Sequence, residues 1–251
     1  MNKYGLIGFP LTHSFSRGFF TEKFRIEQID AEYLNFEIED VSDIREIVRE
    51  NPALKGLNVT IPHKESVLSF LDEISAAAEK IGAVNTIKIN RSSDEKPVLK
   101  GCNTDYVGFK NSISLLLRPD IHKRALILGT GGASKAVAQA LSDLDIEWKY
   151  VSRTKNENQL IYNELTSCIL SKYTIIINAS PLGTYPKVDE CPPIPYEQLT
   201  ANHLLYDLVY NPAETLFLKK GKEQGAIIKN GKEMLELQAL AAWEIWNSEL
   251  A

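Results

Sequence analysis

Apolar and polar residues alternate along the first part of the chain in two rhythms, one typical of strands and one typical of helices. The strand rhythm falls at 3–8, 32–37, 57–61, 83–89 and 97–101. The helix rhythm falls between them, at 16–28, 41–51, 64–71, 75–80 and 106–117. Gly82 is a C-terminal helix stop, and residues 90–96 are polar enough for a hairpin turn. Strands that alternate with helices predict a largely parallel sheet.

The rhythm changes at Arg118-Pro119-Asp120, which we predict as a domain boundary. Beyond it, strands are predicted at 124–128, 147–152, 174–178 and 203–209, with a helix at 133–144. This is the pattern of a doubly wound, Rossmann-like domain. The predicted α/β organisation is an N-terminal domain at 1–118, a dinucleotide-binding domain at 119–231, and a C-terminal helix at 232–251 that packs back on the N-terminal domain.

Composition excludes several classes of protein. The 251 residues are 44% hydrophobic, which is enough apolar material for a sizeable core. A net charge of -5 provides no basic stripe for a nucleic-acid partner. Cys102, Cys168 and Cys191 lie far apart, which fits a reducing compartment better than a disulfide framework. Because neither a signal-peptide pattern nor an apolar run of bilayer length is present, we expect a cytoplasmic protein with no membrane partner.

A glycine-rich turn follows the predicted strand 124–128 and opens the predicted helix 133–144. Its residues are Gly129, Thr130, Gly131, Gly132 and Ala133. Ser134 stands where a third glycine is usual. Glycines at this point let a backbone approach a pyrophosphate at a helix N-terminus. A purely structural tight turn is the alternative, and the strand before and helix after favour dinucleotide binding.

The residues that end the next predicted strand, 147–152, indicate which dinucleotide is bound. An NAD site places an acid there, on the ribose hydroxyls, and this chain has none. It has instead a run of hydroxyl and basic residues, Ser152, Arg153, Thr154 and Lys155. Arg153 and Lys155 would form charge-assisted hydrogen bonds to a 2'-phosphate, so the run favours NADP. A solvated basic turn is the alternative.

One lysine is placed for proton transfer by the stretch Asn58-Val59-Thr60-Ile61-Pro62-His63-Lys64. Period-two alternation points Asn58 and Thr60 one way, and the two apolar residues of this strand the other way into a core. Pro62 marks the exit from the strand and suits the first turn of a helix. Lys64 therefore stands just past a polar strand end, where a neighbouring side chain could orient it as an acid or base.

Asp105 is a candidate neighbour for Lys64. It ends the segment Gly101-Cys102-Asn103-Thr104-Asp105 and precedes the predicted helix 106–117, so an N-cap is the simple alternative. An ammonium and a carboxylate on one substrate hydroxyl would allow one to transfer the proton and the other to orient it. We therefore predict Lys64 and Asp105 as the catalytic residues.

Other polar residues fall where ligand contacts are plausible. Ser14 and Ser16, with His13, follow the first strand, where helix capping is the alternative to ligand binding. Asn85 interrupts an apolar strand, and its amide needs partners from a substrate or from the backbone. The histidines lack the spacing of a metal site, so no metal is predicted. They are His13, His63, His122 and His203.

Together these residues resemble the shikimate dehydrogenase family over nearly the whole chain. Seven motifs in the same order carry the resemblance, at 8–16, 58–64, 82–86, 103–105, 129–133, 206–212 and 231–238. Members of the family reduce 3-dehydroshikimate to shikimate with NADPH in aromatic amino-acid biosynthesis. The resemblance implies the same reaction, and NADP as the cofactor, for this chain.

The resemblance also implies residue roles, with Lys64 and Asp105 in catalysis. The hydroxyls and carboxylate of the substrate would be contacted by Ser14, Ser16, Asn58, Thr60, Asn85, Tyr210 and Gln238. Leu208 and Gly231 would line the nicotinamide. A polyhydroxylated acid needs many such contacts, because each polar group left unpaired costs about 1–3 kcal/mol.

Three hypotheses for function remain open at this point. The first is an NADP-dependent shikimate dehydrogenase that acts on a small molecule as a monomer or homodimer. The second is a quinate/shikimate dehydrogenase that uses NAD, which an acid after the strand 147–152 would favour. The third is a catalytically silent homologue that binds the ligand and regulates or scaffolds another process. Loss of Lys64 or Asp105 would indicate the third, and both are present.

Overall fold

The protein is described here by a computed structural model, which covers residues 1–11, 14–91, 96–157 and 159–248. Contacts divide the chain into two compact units, Met1–Val107 with Glu236–Ala251, and Gly108–Leu235. Thr12 and His13 lie outside the described residues, as does the centre of the predicted turn at 90–96.

The first unit begins with strands and helices close to those predicted from the sequence. Its strands are β1 (Asn2–Gly8), β2 (Ala31–Glu37), β3 (Leu54–Val59), β4 (Glu73–Ile74), β5 (Thr86–Asn90) and β6 (Val98–Cys102). Its helices are α1 (Phe15–Ile26), α2 (Ile44–Glu50) and α3 (Ala76–Ile81). The helix α4 (Asp105–Ser114) begins in this unit and continues into the second. Gly82 ends α3 with a φ of 70°, the left-handed conformation expected of a C-terminal glycine stop.

The sheet of the first unit is mixed, in the order β2-β1-β3-β5-β6-β4. β1 pairs in parallel with both β2 and β3, as the alternation of strands and helices predicts. β4 also pairs in parallel with β6, whereas β5 is antiparallel to β3 and to β6. Three of the five strand pairs are therefore parallel, and the antiparallel pair β5–β6 agrees with the predicted hairpin turn. The link from β5 to β6 is too short for a parallel pair, which needs a crossover of a dozen or more residues.

The helical stretch predicted at 64–71 is a shorter 3₁₀ helix at Ser66–Phe70 rather than an α-helix. The hydroxyl of Ser66 donates to the carbonyl of His63, and that of Ser69 donates to the carbonyl of Ser66. Such local bonds from side chain to backbone compete with α-helical pairing. Lys64 consequently lies in the turn before this 3₁₀ segment rather than in a regular helix.

The second unit contains an all-parallel sheet in the order β12-β11-β10-β7-β8-β9. The strands are β7 (Arg124–Leu128), β8 (Glu147–Ser152), β9 (Leu160–Ile161), β10 (Ile175–Asn178), β11 (Leu204–Asp207) and β12 (Ile227–Lys229). The helices are α5 (Gly132–Ser142), α6 (Ser167–Leu170) and α7 (Leu216–Glu223). Strand order reverses between β7 and β10, which is the doubly wound arrangement predicted from the sequence. Ligands of such sheets bind outside the carboxyl ends of the strands at this reversal.

The final helix, α8 (Lys232–Asn247), has most of its length in the first unit. Trp246 explains the attachment, because its indole packs directly over Gly56 of β3. A Cβ at Gly56 would lie 2.2 Å from the Trp246 ring, and the indole N–H donates to the carbonyl of Ile87 at 3.0 Å. Within the described residues, no helix is long and apolar enough to cross a membrane.

The sequence predicts a boundary after residue 118, and the division observed falls earlier, within α4. The cause is the second half of α4, which packs in the second unit on a buried tyrosine of β11. Phe109 lies 5.0 Å from Tyr206 between ring centroids, and the hydroxyls of Ser112 and Tyr206 are hydrogen-bonded at 2.6 Å. The end of α4 therefore belongs with the parallel sheet rather than with the first unit.

Candidate functional site

Lys64 and Asp105 form an ion pair in the first unit. The ammonium Nζ of Lys64 lies 2.6 Å from Oδ2 of Asp105, and the two side chains are 16% and 9% exposed. The turn after β3 brings Lys64 there, and its carbonyl accepts a hydrogen bond from the backbone N–H of Val84 at 2.8 Å. Because both heads retain a little solvent access, they can reach a small molecule while most of each side chain is fixed.

The carboxylate of Asp105 is available to Lys64 because another residue caps α4. The backbone N–H of Tyr106 donates to Oδ1 of Asn103 at 3.1 Å. The amide of Asn103 also donates to the carbonyl of Ala83 at 2.9 Å, which ties the start of α4 to the segment before β5. The alternative in which Asp105 serves as a simple N-cap therefore finds no support in these contacts.

Asn58 belongs to a buried chain of polar groups. Its Oδ1 accepts from the hydroxyl of Tyr33 at 2.7 Å, and its Nδ2 donates to the carbonyl of Asn85 at 3.3 Å. Burial raises the pKa of Tyr33, while a hydrogen bond with the side chain of Ser16 acts to lower it. Ser16 at the start of α1 is thus connected through Tyr33 to Asn58 at the end of β3.

Ser14 and Thr60 occupy neighbouring loops of the same unit. Ser14 caps α1, since its hydroxyl accepts from the backbone N–H of Arg17 at 3.0 Å. Capping and ligand binding are compatible for a hydroxyl, which has a second lone pair and a proton to donate. Thr60 stands against Gly8, where an added Cβ would lie 2.4 Å from the Thr60 methyl.

Asn85 and Gln238 meet in a second buried polar cluster. Oδ1 of Asn85 accepts from the backbone N–H of Thr104 at 2.7 Å, and its Nδ2 donates to the Thr104 hydroxyl at 3.0 Å and to Oε1 of Gln238 at 3.4 Å. The Thr104 hydroxyl also contacts that of Thr86 at 3.1 Å. α8 thereby places a side chain distant in sequence beside the strand ends that flank Asp105.

Tyr33 and Thr104 hold predicted site residues in place and were not predicted from the sequence. Each holds a predicted substrate contact in place, Tyr33 through Asn58 and Thr104 through Asn85. Thr104 lies inside the motif 103–105, and its position beside Asp105 could have indicated a role at the site. Tyr33 has no local signal, because its role depends on which strands pair.

In the second unit, two glycines of the turn between β7 and α5 differ in the space around them. Gly129 has a φ of 110°, and a Cβ there would lie 3.2 Å from the backbone carbonyl of Ala179. Gly131 caps α5, and a Cβ there would meet no atom within 4 Å. Ser134, which replaces the usual third glycine, is buried and donates from its hydroxyl to the carbonyl of Gly131 at 2.6 Å. Gly129 therefore serves the fold, whereas Gly131 leaves open space at a helix N-terminus.

Beyond β8, the hydroxyl and basic residues lie on exposed backbone. The hydroxyl of Ser152 donates to the carbonyl of Thr154, which closes the turn locally. Lys155 donates to Oε2 of Glu164 at 2.6 Å, while Arg153 is exposed and lies close enough to Tyr162 to influence its titration. Burial raises the pKa of Tyr162, and the positive charge of Arg153 acts to lower it.

The carboxyl ends of β10 and β11 are joined by a buried carboxylate, Asp207. It accepts from Nδ2 of Asn178 at 2.9 Å, from the backbone N–H of Val209 at 3.0 Å and from the hydroxyl of Thr215 at 2.5 Å. These bonds fix the loop that carries Leu208 and Tyr210. Burial raises the pKa of Asp207 to about 6, and the three hydrogen bonds oppose that rise.

Leu208 and Gly231 are in contact within this unit. The backbone N–H of Gly231 donates to the carbonyl of Val209 at 3.2 Å, and a Cβ at Gly231 would lie 2.2 Å from the carbonyl oxygen of Leu208. Only a glycine allows the two segments to approach so closely. Tyr210 follows in the same loop and is 38% exposed.

We expect Asp207→Asn to change how stability depends on pH. A pKa raised in the folded state means that folded protein holds this proton more tightly than unfolded protein, whose aspartate titrates near 3.9. The stability contributed by this group is therefore present below pH ~4 and is lost as the pH rises through about 6. Urea unfolding at several pH values should show the wild type losing about 1–3 kcal/mol relative to Asp207→Asn across this window. A constant difference between the two proteins would contradict the expectation.

The residues of the second unit fit a bound NADP. The open space at Gly131, the first turn of α5 without acidic residues, and the exposed cation Arg153 all suit a negatively charged dinucleotide. Within the described ranges, no group of three or more His, Cys, Asp and Glu residues is arranged to hold a metal ion.

A dinucleotide-type turn in one unit and a lysine–carboxylate pair in the other define the class of nicotinamide-dependent oxidoreductases. Comparison with known proteins gives the family. Residues 6–87 match the family model of the shikimate dehydrogenase substrate binding domain. The curated shikimate dehydrogenase (NADP(+)) of Clostridium beijerinckii is 40% identical, and the alignment covers 98% of this chain and 92% of the relative. The chain belongs to the shikimate dehydrogenase family.

Solved structures agree with this assignment. A chorismate mutase/shikimate 5-dehydrogenase fusion protein from Clostridium acetobutylicum superposes with a TM-score of 0.86 at 39% identity, covering 98% of this chain and 91% of that one. Shikimate 5-dehydrogenase from Thermus thermophilus, in complex with NADP(H) and shikimate, has a TM-score of 0.83 at 28% identity, covering 100% of this chain and 95% of that one. The predicted fold class, with a substrate domain and a Rossmann-like domain, is confirmed.

Proposed function

We propose that this protein is an NADP-dependent shikimate dehydrogenase that reversibly reduces 3-dehydroshikimate to shikimate in aromatic amino-acid biosynthesis. The observation that carries the proposal is the 2.6 Å pair of Lys64 and Asp105 in a chain of this family. The pair supplies the proton donor and the orienting carboxylate that reduction of a ketone to an alcohol requires. The silent-homologue hypothesis predicts loss of one of the two, and both are present and paired.

In the proposed mechanism, Lys64 gives a proton to the ketone oxygen as it becomes a hydroxyl, and it takes the proton back in the reverse direction. Asp105 holds the ammonium in place and accepts from the same hydroxyl. NADPH supplies the hydride when bound. The mostly buried position of both heads limits the access of water, which strengthens the electrostatic effect of the pair.

Substrate recognition is assigned to polar groups already held by hydrogen bonds. Asn58, Asn85 and Gln238 are each buried, so their rotamers are fixed before the ligand arrives. The full set proposed to contact the substrate hydroxyls and carboxylate is Ser14, Ser16, Asn58, Thr60, Asn85, Tyr210 and Gln238. Tyr33 and Thr104 support it by positioning Asn58 and Asn85.

Cofactor binding is assigned to the turn after β7 and the run after β8. The proposed residues are Gly129, Thr130, Gly131, Gly132, Ala133, Ser152, Arg153, Thr154, Lys155, Leu208 and Gly231. Arg153 and Lys155 would recognise the 2'-phosphate, and Lys155 is held by Glu164 at 2.6 Å. We place the enzyme in the cytoplasm, as a monomer or homodimer, with no nucleic-acid partner.

The assay that tests the function follows nicotinamide absorbance with shikimate or quinate and with NADP or NAD. Reduction of NADP that depends on shikimate, at a much higher kcat/KM than the other three combinations, is the expected result. A preference for NAD with quinate would establish the second hypothesis instead. Failure of all four combinations by folded protein would favour the ligand-binding homologue.

Arg153→Ala should separate NADP from NAD. Loss of one charge-assisted hydrogen bond to the 2'-phosphate costs about 1.5–3 kcal/mol, so KM for NADPH should rise about 10- to 100-fold. KM for NADH should stay nearly constant, because NADH has no 2'-phosphate. Lys219→Ala, an exposed cation on α7, is the matched control and should change neither value. Equal effects of Arg153→Ala on both cofactors would refute the role of Arg153.

A further inference from the structure

A cavity in the first unit is lined by positively charged side chains that the proposed reaction does not use. Its volume is about 410 Å³, within the range of small-molecule sites. It lies between β3, β5, the segment before β6 and the end of α8. Four cations line it, and they are Lys55, Lys88, Arg91 and Lys96.

Two of these cations are buried or partly buried, and neither has an acidic partner among the described residues. Lys88 is 7% exposed and donates to the backbone carbonyl of Ser248 and, at 3.1 Å, to the Ser248 hydroxyl. Nη2 of Arg91 donates to the carbonyls of Val48 at 2.7 Å and Asn51 at 3.2 Å. Its Nε is buried and has no hydrogen-bond partner in the part of the chain that the structure describes. Over the described residues, no Asp or Glu forms an ion pair with any of the four lining cations.

Buried charges are usually paired, because removing an unpaired ion from water costs several kcal/mol. Lys88 also has a structural role, since a cation at the carboxyl end of α8 is favourable for the helix dipole. That role accounts for the position of Lys88. It does not account for the presence of the other three cations around the same cavity. Arg91 in particular lines the cavity with a guanidinium group, which is suited to bind oxyanions.

We propose that this cavity is a binding site for a small multivalent oxyanion, a phosphate ester or a polycarboxylate. The ligand would accept hydrogen bonds from Arg91 and balance the charges of Lys55 and Lys96 at the mouth of the cavity. Lys55 and Lys96 are exposed and can reach a ligand without leaving the fold. The wall includes Trp246, whose ring adds apolar surface beside the cations.

The cavity is separate from the proposed substrate site along the same strand. In the pairing of β3 with β5, Asn58 is opposite Thr86 at one end, while Gly56 is opposite Lys88 further along. Lys88 and Asn90 therefore lie towards the other end of β5, away from the strand end that carries the polar substrate cluster. Anion binding in this cavity does not depend on the oxidation of shikimate at the substrate site.

Thermal unfolding of the full chain in phosphate, citrate and chloride at equal ionic strength tests the site. At a concentration about a hundredfold above Kd, a ligand of the folded state should raise Tm by about 5 °C or more over chloride. The arm with the larger shift identifies the phosphate or the carboxylate group as the one recognised. Shifts in both arms equal to that in chloride would overturn the proposal.

Variants separate site binding from general salt effects. Lys55→Gln changes an exposed residue and should weaken binding of the preferred anion at least about fivefold, and Arg91→Gln should abolish its effect on Tm. Lys172→Gln, an exposed lysine of the second unit, is the matched control and should retain the full shift. Each variant should keep its Tm shift with shikimate, which reports the substrate site independently. Anion shifts that persist in both Lys55→Gln and Arg91→Gln would refute the site.

Discussion

Lys64→Ala should lower kcat for shikimate oxidation about 10²- to 10⁴-fold, the range typical for loss of a general acid or base. The reason is that Lys64 is the proposed donor and acceptor of the proton, and water cannot replace it at the same position. KM for shikimate should change much less, because most of the proposed substrate contacts remain. Steady-state kinetics with saturating NADP would measure both parameters.

The matched control for this substitution is Lys100→Ala, which removes a lysine of the same unit whose ion pair with Glu73 is 3.7 Å long. It should leave kcat within about twofold, because exposed pairs contribute about 0–1 kcal/mol. Urea unfolding of both variants would show that the fold survives. Near-normal turnover by folded Lys64→Ala would disprove the assigned role of Lys64.

Gly131→Ala should weaken NADP binding strongly and leave stability almost unchanged. Apart from the two chain neighbours, no atom of the described residues lies within 4 Å of a Cβ at this position, so the fold has room for the methyl group. The space lies at the N-terminus of α5, where the proposed cofactor needs a close approach of its phosphates to the backbone. We expect KM for NADPH to rise at least about tenfold, equivalent to ~1.4 kcal/mol. Cofactor titration and urea unfolding would measure the two effects separately.

Gly129→Ala is the matching variant with the opposite expectation. Its φ of 110° and the 3.2 Å approach to the Ala179 backbone predict a loss of stability of about 1–3 kcal/mol. The two alanines add the same methyl group two residues apart, so their contrast separates fold from cofactor binding. If Gly131→Ala destabilised the fold and bound NADP normally, the turn would be purely structural.

The parallel sheet of the second unit was readable in the sequence because its signals are local. The strand β7 carries an apolar run, β8 alternates charged residues with aromatic or apolar ones, and the glycine turn lies directly after β7. The helix α7 was missed because Gly221 interrupts its pattern. In the structure that glycine allows close packing, since a Cβ there would lie 2.3 Å from Leu205. Packing against β11 therefore requires a glycine at position 221, although glycine has a low helix propensity.

The sequence predicts which residues belong to the candidate site, but it does not predict how they are arranged in space. Lys64 and Asp105 stand out as polar residues at element ends, but they are 41 positions apart in the chain. Their approach depends on the order β3-β5-β6, and the sequence pattern does not give the order of the strands in the sheet. The same holds for Asp207, whose burial follows from the pairing of β10 with β11. The residue pattern of a strand predicts which side chains share a face. Which strands pair with it depends on the whole sheet.

The contacts of Lys64 and Asp105 favour treating them as one unit. Each is the charged partner of the other at 2.6 Å, and Asn103 rather than Asp105 caps the helix α4. A carboxylate that acts mainly by orienting the ammonium contributes little to the rate once the ammonium is removed. Residues that act as a unit show strongly non-additive losses when they are substituted together.

The most direct measurement is therefore kcat of Lys64→Ala, Asp105→Asn and the double variant, with hydride transfer followed by NADPH absorbance. We predict that the double variant is slower than Lys64→Ala by no more than about threefold. Losses that multiply, so that the double variant falls by the product of the two single effects, would show that the residues act independently. That result would contradict proton transfer by a coupled pair.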